Sequence, residues 1–111
     1  MNIFSISQSQ SSYQEKKLLR SVERGLQKFD SKLCPVVLSK FEVDYGLSKE
    51  DIIRSPDLFV QTLQQIFRFG SQYVEKEIVR EIWKEFGVQN PTNVGFVRSV
   101  LEIRQQALAT I

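Results

Sequence analysis

The chain has 111 residues, 41% of them hydrophobic and 25% charged, proportions that fit one globular domain around a single core and argue against extended disorder. One cysteine and no histidine exclude an internal disulfide and leave a transition-metal site little to draw on, so no metal or other cofactor is expected. A formal charge of +2 demands no acidic partner, no apolar run reaches the roughly 18 residues of a spanning helix, and MNIFSISQSQSS lacks a basic region before a long apolar core; a cytoplasmic protein without a membrane partner is expected.

Residues 1–12 are uncharged and rich in serine and glutamine, which predicts a flexible tail, with Ile3, Phe4 and Ile6 as an exception that could add a small apolar patch to the domain or a partner. A single helical domain follows over 13–111. Ser12-Tyr13-Gln14-Glu15 matches a capping box, so a helix is expected from Tyr13 to about Phe29. Its inward positions are Leu18, Leu19, Val22, Leu26 and Phe29. Lys17, Arg20, Arg24 and Lys28 recur at steps of three and four and so share another face. Asp30 or Ser31 caps the next helix, whose body is Leu33 to Tyr45 because Pro35 is tolerated only in a first turn; Gly46 ends it. Val37, Leu38, Phe41 and Tyr45 point inward. Ser48 and Asp51 form a weak capping box for a short connector that stops before Pro56, with Leu47, Ile52 and Ile53 plugging one end of the core.

The organising stretch is Ser55 to Val88, two amphipathic helices joined at Phe69-Gly70-Ser71. Ser55 and Pro56 start the first, and Leu58, Phe59, Thr62, Leu63, Ile66 and Phe67 make its stripe. Gly70 is expected to end it in the left-handed conformation. The second carries Val74, Ile78, Ile82 and Phe86, widened by Tyr73, Val79 and Trp83, and Gly87 closes it. So short a joint makes the pair a hairpin. Gln89 to Asn93 breaks the chain, with Asn90 or Thr92 as cap for a last helix from about Thr92 to Thr110. There Val94, Val97, Leu101 and Leu108 form one stripe and Phe96, Val100, Ile103 and Ala107 a neighbouring one. That face is wider than a single contact needs, which makes Val97, Leu101 and Leu108 candidate homodimer contacts.

No catalytic constellation is present, so no enzyme is expected. Glu77, Glu81 and Glu85 recur every fourth residue beside Lys76, Arg80 and Lys84; they read as a solvated face with Glu77–Arg80 and Glu81–Lys84 helical pairs. Cys34 at a helix start lacks a histidine base and reads as a packed small hydrophobe. Phe59, Phe67, Trp83 and Phe86 read as core rather than a stacking platform. The basic stripe could contact successive phosphates or an acidic protein surface. A helix-turn-helix pairing the Ser48 and Pro56 helices would present Gln61, Gln64, Gln65 and Arg68, only one of them cationic, with Asp57 where phosphate would lie.

The run Tyr45-Gly46-Leu47-Ser48-Lys49-Glu50-Asp51-Ile52, with Pro56-Asp57-Leu58-Phe59, Ile66-Phe67 and Glu81-Ile82-Trp83-Lys84-Glu85-Phe86, resembles the Nitrosopumilus output domain over about residues 18–88. Where that family has a glycine after Ile-Phe, this chain has Arg68. The resemblance implies an all-helical archaeal module, alone or attached to signalling proteins, that works by protein contact. It supplies no binding residues to carry over. Apolar spacing at three and four throughout, with a cap or a stop at nearly every boundary, predicts an all-α bundle of five main helices and one short connector. The expected function is a non-catalytic signalling or protein-interaction module with a protein partner still to be named. The alternative is a small nucleic-acid-binding regulator using Lys17, Arg20, Arg24 and Lys28.

Overall fold

The computed structural model describes the backbone over residues 3–87 and 94–109, and side-chain surroundings over 13–87 and 94–105. The apolar spacing becomes helices α1 (Ile3–Gln27), α2 (Leu33–Tyr45), α3 (Asp51–Arg54), α4 (Pro56–Phe67), α5 (Ser71–Glu85) and α6 (Phe96–Ala109), with a 3-10 turn at Arg68–Gly70. No strand occurs among the described residues, and the architecture is the expected all-α bundle with α3 as its connector.

α1 begins at Ile3 rather than Tyr13, running through the stretch expected as a tail. No glycine or proline precedes Gly25, and extending an existing helix gains a hydrogen bond for each residue fixed. The side chains of Ile3, Phe4 and Ile6 lie outside the described residues. α2 has the expected bounds. Gly46 ends it at φ 67°, its N–H donating to the Glu42 carbonyl at 2.7 Å. Before α3, the Ser48 N–H and hydroxyl both donate to Asp51 Oδ2, at 2.9 and 3.1 Å. The backbone N–H bond comes first among the causes that hold the Asp51 carboxyl below the usual carboxylate range. Ile52 and Ile53 are buried, as a plug requires.

The joint of the hairpin departs from expectation in one respect. Gly70 is right-handed, at φ −81° and ψ −7°; Arg68 takes the positive φ instead, at φ 50° and ψ −114°. The 3-10 turn sets this, because it continues helically through Gly70 and leaves the reversal to the residue directly after Phe67.

α5 is the central element, although its most extensive partner is α1 rather than α4. The reason is Gly25: a Cβ there would stand 2.7 Å from Ile78 Cα, so α1 reaches the α5 backbone only because no side chain intervenes. Around this seam lie Leu18, Val22, Leu26, Ile78 and Ile82, all buried. Phe59 on α4 meets Phe41 edge-on at 5.9 Å and Phe96 at 5.3 Å, tying α2, α4 and α6 into one core.

α6 starts at Phe96, not Thr92, because Val94 and Gly95 are not helical. Its first N–H is capped from across the fold: Phe96 donates to Glu75 Oε2 at 2.9 Å. Asn90, Thr92 and the whole Gln89 to Asn93 break lie outside the described residues. Trp83 is buried as expected, and its Nε1 donates to the buried Ser99 hydroxyl at 3.0 Å. No described helix is long and apolar enough to cross a membrane.

Candidate functional site

The basic stripe is built by α1 and turned toward α5. Steps of three and four place Arg24 and Lys28 opposite the carboxylates that α5 carries every fourth residue, and Lys17 beside the Phe86 ring. Arg24 lies 3.4 Å from Glu85, and Lys28 reaches Glu81 at 2.7 Å and Glu77 at 3.2 Å. Lys17 Nζ sits 4.6 Å from the Phe86 ring centroid and 5.6 Å from that of Tyr13, in reach of both quadrupoles. Arg20 alone of the four is exposed without an ion pair among the described residues. Two stripes that look independent in the sequence are thus the two halves of one seam.

Glu81 does not lie on a solvated face. It is 4% exposed, and it pairs with Lys28 rather than Lys84, because the side of α5 it occupies is the side α1 covers. The Lys28 contact holds the Glu81 carboxyl below the usual carboxylate range, against the opposing effect of burial. Glu81 and then Glu77 raise the Lys28 ammonium above its ordinary value. Lys28 Nζ, 2.7 Å from the buried Glu81 Oε2, is what satisfies that oxygen. The Glu77–Arg80 helical pair forms as expected, at 2.7 Å.

On α6 the two stripes separate. Phe96, Val100 and Ile103 are buried, whereas Val97 is half-buried and Leu101 is 48% exposed. The Val97–Leu101 side is therefore the one available to a second copy. The side chains of Leu108 and Ala107 lie outside the described residues. Cys34 is buried and its thiol is pushed up by desolvation, the opposite of what a nucleophile requires. Phe59 and Trp83 are core; Phe67 and Phe86 pack half-buried on its edge.

Besides Tyr13, three aromatic side chains stand in solvent: Phe69 at 97%, Tyr73 at 70% and Phe29 at 46% exposure. Phe29 was expected inward, but α1 ends at Gln27 and the turn after it swings the ring out. Tyr73 was expected to widen the inner stripe. Its position three before Lys76 and seven before Arg80 was the legible signal that it belongs to the polar side. No protein-family model, curated protein or solved structure matches the chain.

Proposed function

We propose that the chain is a non-catalytic protein-interaction module of the signalling or output kind, cytoplasmic, and able to form a homodimer through α6. One observation carries this reading. Lys17, Arg24 and Lys28 of α1 are matched internally by the Phe86 ring and the carboxylates of α5, while large apolar side chains, Phe69, Val43 and Tyr73 foremost, are left to solvent. Charges already neutralised within a fold offer little to phosphate, whereas exposed apolar groups gathered in patches mark protein contacts.

Anisotropy of labelled mixed-sequence DNA and RNA tests the choice of partner class. The expected result is no saturable binding. Saturable binding that weakens steeply with salt and is lost in Arg20→Glu would replace this reading by the nucleic-acid one. Arg20 suits that variant because its reversal breaks no described ion pair. Sedimentation at micromolar concentration tests the dimer: the full chain should run as a dimer and Leu101→Glu as a folded monomer. A monomeric wild type removes α6 as the contact.

A further inference from the structure

We propose that the turn joining α4 to α5 is a docking surface for an acidic peptide segment bearing apolar side chains. This rests on the interaction-module reading and assigns that module's partner class. At φ 50° and ψ −114°, Arg68 holds a conformation close to the first central position of a type II′ turn, which belongs to glycine. The strain presents Arg68 and the 97%-exposed Phe69 side by side at the tip of the hairpin. Backbone strain gathers where function requires it, and arginine and the aromatic residues, phenylalanine among them, are enriched at protein interfaces.

The surroundings decide what fits. Between this turn and α2 runs a groove lined by Lys40, Arg68, Phe69 and the glutamines 64, 65 and 72, with no carboxylate among its lining residues. Further along α5, Tyr73 shares a second concavity with Lys28, Phe29, Lys76, Glu77 and Arg80. The carboxylates bordering these two concavities are already engaged: Asp44 by Lys40 at 2.8 Å, Glu77 by Arg80 at 2.7 Å. Arg68 and Lys76 form no ion pair among the described residues. Two cations without counter-charges beside bare aromatic rings are complementary to carboxylates and an apolar side chain on one short segment. The glutamines can serve that segment's backbone as both donors and acceptors. A second copy docking through the same face would set these cations against one another. Phosphate backbones favour a run of cations, where this groove offers amides and a phenyl ring.

Selection of a phage-displayed random-peptide library on the full chain, followed by fluorescence polarisation with the recovered peptides, tests this. The peptides are expected to combine Asp or Glu with Phe, Leu or Trp, and binding is expected to weaken about tenfold or more in Phe69→Ser, as truncation of a central anchor does. Arg68→Gly is expected to weaken binding while raising the thermal midpoint. A merely structural residue would not move the two in opposite directions. Recovered peptides that are neutral or basic, or whose binding survives Phe69→Ser, overturn the proposal. If such peptides respond instead to Leu101→Glu, the interaction-module reading survives and this site falls. If no peptide is recovered and labelled DNA or RNA binds, both fall. Self-association lost in Phe69→Ser would make the occupant a second copy and also overturns it.

Discussion

Along its C-terminal half α5 buries Ile78, Glu81, Ile82 and Trp83 between α1 and α6, whereas its first turn leaves Tyr73 in solvent and the joint before it, made by a positive-φ arginine, leaves Phe69 there too. Both regions bring helices together, and both bear on glycine. At the buried end a glycine stands inside a helix, where it costs helix propensity, and its missing side chain lets α1 approach Ile78. At the exposed end a glycine-like conformation is occupied by Arg68 although Gly70 lies two residues on in ordinary helical geometry. Packing thus controls residue choice at one end. At the other, stability favours a residue the chain does not use, which is the expected pattern where a surface serves another molecule.

The contrast can be broken first at the buried end. Trp83→Ala opens a cavity and leaves the buried Ser99 hydroxyl without its partner, with an expected cost of about 3–5 kcal/mol. Chemical denaturation reads it, and an unchanged midpoint would show that the α5–α6 contact is not core. Gly25→Ala should cost about 1–3 kcal/mol, because the new methyl meets backbone rather than a movable side-chain end and the seam must part. A stabilised Gly25→Ala, the usual result for an exposed helical glycine, would refute the close approach.

At the exposed end the sign should reverse. Arg68→Gly relieves backbone strain but adds freedom to the unfolded chain, for a net gain of about 1 kcal/mol. A lowered thermal midpoint would mean that the arginine side chain holds the turn together. The smallest effect sits within the seam and appears only on titration. Glu81 lies below its ordinary 4.5, so its contribution is full above that value and is lost as pH falls through the lower folded value. Lys28 lies above its ordinary 10.5, so its contribution is full below that value and is lost as pH rises through the higher folded one. Urea midpoints followed across pH should show a shallower acid limb in Glu81→Gln than in wild type. Parallel limbs would place Glu81 in solvent.

Local chemistry determined much of this protein without help from the fold. Steps of three and four among apolar residues specify helices, Pro56 can begin one and Gly46 can end one, and Ser48 with Asp51 caps a turn of chain only a few residues long; each rule acts within reach of a single turn. The inward sets Val37 with Phe41, Phe59 with Leu63, and Val79 with Trp83 follow from the same periodicity. What only the tertiary structure decided are the relations between surfaces far apart in sequence. Periodicity says that Lys28 and Glu81 each lie on a stripe, but not that the stripes face each other, because the rotation of α1 against α5 depends on how closely Gly25 lets them meet. The cap on Phe96 comes from Glu75 on another helix and has no local signature. Arg68 takes the positive φ in place of Gly70 because the 3-10 turn continues in helical geometry through Gly70 and leaves the reversal to the residue after Phe67, an outcome that the preference of neither residue signals.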